Sequence, residues 1–260
     1  MPVIESRVRI PNQGVFWEGR VLVWISWGAA SACAGKLAIE KYGERALLVN
    51  CDTSRSEHPD NKRFGRELEK WYGREIILLQ SSKYTTVEEV FEDTRYMSGE
   101  DGARCTVELK KRPRFAFQDV ADIHVFGYTT EEKKRISDFE QRNPELFLEW
   151  ILRDRGMTKA DCFKMLTDAG IALPVMYALG FKNNNCLGCV KATSPKYWNM
   201  TRTHFPEVFE RRCEQSRRLG VRLVRYKGER IFLDELPPDA GQSESMPDIS
   251  CGPQCSVEAA

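Results

Sequence analysis

The sequence predicts an α/β fold: a doubly wound, mostly parallel sheet with a small C-terminal helical module that contains cysteines. Three observations predict it. Over residues 1–157, apolar runs of strand length alternate with stretches of helical spacing. One of those runs, VLVWI, is continuously apolar, as befits a central parallel strand. From residue 158 the alternation gives way to helices around an Asn- and Cys-rich stretch. The expected division is an α/β domain over 1–157 and a Cys-rich helical module with an irregular tail over 158–260.

Val21–Ile25 reads as a central parallel strand, followed by a helix over Ala30–Tyr42 that Gly43 closes. Ala46–Asn50 is the next strand, Asn61–Tyr72 a helix ended by Gly73, and Glu75–Leu79 a third strand. Val87–Tyr96 and Thr106–Phe117 have helical spacing, Ile123–Phe126 is a fourth strand, and Thr130–Gln141 a charged helix. Such strand–helix–strand units cross over right-handed and place the functional site at the carboxyl ends of the strands. Thr158 caps a helix stopped by Gly170. LPVMYALGFKNNNCLGCVKA, residues 173–192, lacks periodicity. Pro195–Thr203 and Pro206–Leu219 read as helices, and Val221–Arg225 with Arg230–Leu233 as a hairpin across YKGE. The segment from Asp234 is Pro/Ser/Gly-rich and irregular, yet its cysteines argue against a free tail.

A net charge of +1 argues against bulk electrostatic binding to nucleic acid or an anionic membrane, while leaving room for a local basic patch. No apolar run approaches the roughly 20 residues of a membrane helix, and the N-terminus lacks a signal-peptide core, so the expected location is the cytoplasm. Nine cysteines in a reducing compartment point to metal or catalysis rather than disulfides.

The first strand enters its helix through SWGAAS, Ser26–Ser31. A turn of this kind presents backbone N–H groups and the positive end of a helix dipole, which bind an anion without a charged side chain. Ser26 and Ser31 add hydroxyls, Trp27 fills the second place, and Gly28, Ala29 and Ala30 let a phosphate approach the backbone. The same residues would also suit a tight turn with no ligand.

SWGAAS resembles the SFGA-type turn of phosphoadenosine-phosphosulfate (PAPS) and adenosine-phosphosulfate (APS) reductases. It is less like the SGGKDS loop of the related N-type ATP pyrophosphatases, whose Lys and Asp are replaced here by Ala29 and Ala30. CDTSRSEHPDN, Cys51–Asn61, resembles the segment that follows the family's second strand. ARCTVELKKRP, Ala103–Pro113, resembles its cysteine-then-basic segment, with Cys105 and Lys110 in the matching places. GYTTEEKKR, Gly127–Arg135, resembles its glycine turn, with Tyr128 standing where a basic residue is usual. NNNCLGCVKA, Asn183–Ala192, resembles the CxxC of cluster-bearing members. From Val21 to Trp198 the chain is thus similar to the PAPS reductase-like family of the adenine nucleotide alpha-hydrolase superfamily, in the divergent branch often carried by bacteriophages. The resemblance implies that residues 1–157 bind an adenine nucleotide (ATP, APS or PAPS) at Ser26–Ser31, with Asp52 facing the adenosine and Gly127 at a neighbouring strand end. It implies a catalytic set of Cys105, Lys110 and Arg135.

Two local cysteine pairs stand out. Cys186 and Cys189 form a CxxC, and Cys251 and Cys255 a CxxxC. Together they offer four thiolates, enough for Zn2+ or a [4Fe–4S] cluster; otherwise they are reduced thiols. Cluster-bearing relatives carry a double cysteine well before the CxxC. Here Arg104 precedes a single Cys105, which is either a ligand in place of a tail cysteine or a thiol activated by Arg104, Lys110 and Lys111. The family's reductases finish with a nucleophilic cysteine, and Cys251-Gly252 is the nearest counterpart; a nucleophile there is not also a ligand. Cys33, Cys51, Cys162 and Cys213 read as ordinary core or surface thiols.

The basic run Arg104–Arg114 is either an anion clamp or a solvated helix face. His58, His124 and His204 have no histidine partner at metal-binding spacing. PKYWNMTRTHFPEVFERR, residues 195–212, interleaves aromatics with basic residues, as a base-stacking surface or an amphipathic helix does.

Three functions compete. The first is a sulfonucleotide reductase-like enzyme that uses a cysteine thiolate and a thiol carrier. The second is an ATP pyrophosphatase-type sulfurtransferase acting on a nucleobase or nucleic acid, with Mg2+. The third is a non-catalytic nucleotide-binding protein. The first is the favoured expectation, with a small-molecule nucleotide as partner, no membrane association, and the oligomeric state open.

Overall fold

The computed structural model describes residues 19–99, 102–249 and Cys251. The chain packs as two compact units, each of discontinuous sequence. One comprises the described residues up to Asn50 with Gly65–Leu79 and Phe115–Ala172; the other comprises Cys51–Phe64, Gln80–Arg114 and the described residues from Leu173 onward. The sequence order of elements suggested a division after residue 157. The packing interleaves the segments instead, because Phe91 and Leu109 share one core with Trp198 and Val224.

The first unit carries a five-stranded parallel sheet, and the chain is α/β as the sequence predicts. Its strands are β1 (Val21–Trp24), β2 (Ala46–Cys51), β3 (Ile77–Leu79), Ile123–Phe126 and Phe147–Glu149. β1 is central: Val21 registers with Ala46 on one side and with Ile123 on the other. Its residues Val21, Leu22 and Val23 are fully buried, which is why the run is apolar without alternation. The Trp24 indole N–H donates to His124 Nδ1 at 3.0 Å, so His124 is a core partner within the sheet.

Helix α1 (Ala29–Tyr42) follows β1. Its small residues let neighbours approach closely. Tyr72, at the end of α2 (Asn61–Tyr72), donates its hydroxyl to the Ala32 carbonyl at 2.8 Å. A Cβ on Gly35 would meet that hydroxyl at 2.8 Å. Thr158 caps the helix Lys159–Asp168 through a reciprocal pair with Asp161, as predicted. The fifth strand, Phe147–Glu149, was not legible: it is short, half-exposed and without alternation, and its parallel partner Ile123–Phe126 defines it.

The second unit contains α3 (Val87–Thr94), capped by Thr86 and Glu89, and the helices Pro195–His204 and Pro206–Arg218. The chain is helical from Arg104 to Phe117, but Val107–Lys111 is wound as a π-helix. The predicted hairpin forms, shifted to Val224–Tyr226 and Glu229–Ile231. The irregular tail is not free, for Met246 and Ile249 lie buried in this unit's core. No helix among the described residues is long and apolar enough to cross a membrane.

Candidate functional site

In the first unit the Ser26–Ser31 turn is closed by its own hydroxyls. Ser31 Oγ accepts from the Ser26 N–H at 3.0 Å and donates to the Gly28 carbonyl at 2.9 Å; Ser26 Oγ lies 3.1 Å from it. Both hydroxyls are therefore engaged in shaping the turn. Gly28 is the N-cap residue of α1 and makes no side-chain cap bond. The dipole of this 14-residue helix thus opens at Ala29 and Ala30 without a competing carboxylate in its first turn.

Trp27 adopts a left-handed φ of +58°, which is costly for a bulky residue. Its ring packs on Gly65, where a Cβ would stand 3.2 Å from it. Gly127 is required by close approach: a Cβ there would lie 2.4 Å from the Ser31 nitrogen. The residue expected to face a nucleotide thus brings the end of Ile123–Phe126 against the start of α1.

Arg135, expected beside the substrate, is ion-paired with Glu132, and its guanidinium lies 5.1 Å from the ring of Tyr128. Tyr128, which replaces the family's usual basic residue, is buried beside Trp150.

The second unit gathers the other predicted residues. Asp52 Oδ1 accepts the Ser54 N–H at 2.9 Å, and Oδ2 accepts from the Gln80 side chain. These bonds, opposed by burial, hold its carboxyl below the usual range. Cys105, Cys186, Cys189 and Cys251, from three distant segments, come close enough to feel one another's charge. Lys110 joins them, its Nζ 3.7 Å from Cys251 Sγ. Cys105, treated in the sequence as either ligand or active thiol, stands within the group. Cys255 lies outside the described residues.

Local structure explains the convergence. Gly188, at φ +61°, turns the chain between Cys186 and Cys189. The Leu187 N–H donates to the Ser56 carbonyl, and the Cys189 N–H to the Tyr197 hydroxyl at 2.7 Å. The asparagines strap the tail in place: Asn185 Nδ2 donates to the Ile249 carbonyl at 2.8 Å, and the Ile249 N–H to Asn183 Oδ1 at 2.9 Å. That strap brings Cys251 to the CxxC. The π-wound segment buries Glu108, Leu109 and Lys110 together, and π-segments often mark functional sites.

The electrostatics separate the thiols. A hydrogen bond from Cys189 does most to hold Cys251 well below the usual thiol range; burial opposes it, and Lys110 and Lys191 reinforce it. The same bond, followed by burial, keeps Cys189 protonated. Burial pushes Cys105 up to about 11 and raises Cys186 as well. Burial works against the Lys110 ammonium, but the summed pull of Cys251, Cys186, Glu57 and Cys105 keeps it charged.

Sequence reasoning missed Glu57, Thr106 and Lys191 at this centre. Glu57 is buried, raised by that burial, and held by Asn61, which in turn accepts from Asn184. Lys191, two places after the CxxC, had a legible signal. Glu57 had none, because it reads as one of several loop charges. His58 accepts the Asp60 N–H and packs edge-on against Phe205. The aromatics Tyr197 and Trp198 are core residues, not a stacking surface.

Four thiols beside a cation suit a soft, thiolate-bound centre in donor chemistry and charge. Among the described residues, no group of three or more His, Cys, Asp or Glu side chains is arranged to hold a metal ion as it stands. No protein-family model matches the sequence, and no curated protein matches it.

Proposed function

We propose that the protein is an enzyme of sulfur chemistry on an adenine nucleotide, of the sulfonucleotide reductase type. The observation that carries this reading is the convergence of Cys105, Cys186 and Cys251 on the buried Lys110, with Cys189 beside these thiols. The start of α1, with no acidic residue in its first turn, suits an anion such as a phosphate bound at a helix N-terminus. Cys105, Cys186, Cys189 and Cys251 would hold a [4Fe–4S] cluster or Zn2+, their side chains turning inward to do so. A bound cluster would supply a local charge that polarises the substrate's sulfonyl group. Lys110 offsets thiolate charge and offers a donor to sulfonyl oxygens.

A second form of the centre needs no metal, and the 3.7 Å approach of Lys110 Nζ to Cys251 Sγ favours it, because the ammonium stabilises a Cys251 thiolate. The Cys251 thiolate attacks the sulfur of APS or PAPS, and the S–O bond to phosphate breaks, releasing AMP or PAP. The Cys189 thiol then loses its proton and attacks Cys251 Sγ, expelling sulfite. Two thiols are oxidised to a disulfide as sulfur is reduced, and an external dithiol carrier restores them.

Anaerobically purified protein tests both forms. Iron and acid-labile sulfide in equal amounts, with AMP or PAP and sulfite released from the sulfonucleotide, support the cluster form. The same products from metal-free protein support the dithiol form. Pyrophosphate release from ATP with Mg2+ would instead identify an adenylating sulfurtransferase. Nucleotide binding with no turnover would make the protein a binder.

A further inference from the structure

The hairpin of the second unit carries an electrostatic cost that its fold does not explain. Lys227 (φ +49°) and Gly228 (φ +88°) form its two-residue turn, both left-handed as such a turn requires. Val224 pairs with Ile231, Arg225 with Arg230, and Tyr226 with Glu229. Val224 is fully buried, so alternation puts the Arg225–Arg230 pair on the other face, where both are exposed. Like charges directly opposite destabilise a strand pair, and here each strand has three residues.

Several arginines of this unit meet carboxylates, Arg212 with Glu88, Arg218 with Glu92, and Arg217 with Asp234 and Glu235, while Arg202 is held by Asn199 and two backbone carbonyls. Among the described residues no carboxylate pairs with Arg225 or Arg230. Arg230 is held instead by the neutral Leu223 carbonyl, at 2.8 Å. The hairpin is also firmly seated, since the Arg225 N–H donates to the Thr193 carbonyl at 2.8 Å and Leu223 is buried.

We propose that this face of the hairpin docks the phosphodiester backbone of a nucleic acid. Two adjacent guanidinium forks suit a chain of closely spaced phosphates. A membrane surface fits less well, because interfacial elements pair basic residues with exposed apolar ones. The large exposed apolar residues Ile77, Leu78, Phe115, Val120 and Phe147 all lie outside this hairpin. This inference is independent of the sulfur chemistry above, since its readout is binding and needs neither turnover nor metal.

The test uses the full chain and a fluorescent oligothymidylate of about twenty nucleotides, titrated across salt concentrations. The expected result is salt-sensitive binding that weakens about tenfold in Arg225→Ser/Arg230→Ser, with a salt slope shallower by about 1.4 for two lost contacts. The Lys/Lys double variant should retain most of the binding. The Ser/Ser variant should melt at or above the wild-type temperature, because a repulsion has been removed. Absent binding, equal binding by the Ser/Ser variant, or an early melt of that variant while Lys/Lys binds no better would overturn the proposal. So would stronger binding to phosphatidylserine vesicles, or full competition by equimolar pyrophosphate; these would reassign the face to a membrane or to a small anion.

Discussion

Lys110 Nζ lies 3.7 Å from Cys251 Sγ, across 141 positions of sequence. The pair sits where a π-wound segment and a strapped tail meet. Removing the cation should raise the Cys251 pKa. In metal-free protein, Lys110→Met is expected to slow alkylation of Cys251 about tenfold near neutral pH and to move its pH profile upward. Iodoacetamide labelling read by peptide mass spectrometry checks this. An unchanged profile would mean that Cys189 alone sets the thiolate.

The thiol group also predicts which cysteines matter for metal. Ser substitutions at Cys105, Cys186, Cys189 or Cys251 should each abolish iron and labile sulfide, or zinc, in purified protein, whereas Cys255→Ser should leave the content unchanged. Retention in Cys105→Ser together with loss in Cys255→Ser would restore the two tail cysteines as the ligand pair.

Gly127 is tied to Ser31 by distance. A Cβ at Gly127 would lie 2.4 Å from the Ser31 nitrogen and 2.5 Å from its Cα, both backbone atoms with little freedom to yield. Gly127→Ala should therefore destabilise the protein by about 2–3 kcal/mol and weaken binding of adenine nucleotide at the displaced helix start. Urea unfolding and nucleotide titration measure the two effects.

Asp60 accepts both the Arg63 side chain and the Val175 N–H. The Arg63 hydrogen bond leads in holding its carboxyl below the usual range. A lowered carboxylate pKa stabilises the fold above the unfolded value of about 3.9, and that contribution is lost as pH falls through the folded value. Asp60→Asn should cost about 1 kcal/mol at neutral pH, with the difference closing in acid. Urea midpoints at neutral and acidic pH read it directly.

The parallel sheet was legible because its central strands are buried on both faces and have little choice but to be apolar. The cap at Thr158, the helices from Pro195 and the hairpin turn were legible for similarly local reasons. The fifth strand was not, since three half-exposed residues become a strand through a partner. The CxxC announced itself by spacing. That Cys105 joins the group depended on the packing of the Arg104–Thr106 turn, just before the π-wound segment, against the core that holds Cys186 and Cys189. The aromatic run after Pro195 read as a stacking surface or, more often, an amphipathic helix; Tyr197 and Trp198 turn inward, and the Tyr197 hydroxyl accepts the Cys189 N–H.

By itself the sequence determined the fold class, the turn before α1 and the identity of the thiols that could gather. These depend on local pattern: burial period, turn chemistry and residue type. The tertiary structure decided that segments on either side of the α/β pattern form a second unit. It decided too that three separate stretches bring four cysteines together, three of them against one lysine. It placed two arginines face to face on a hairpin. Those relationships depend on contacts between residues far apart in the chain, which no local pattern specifies.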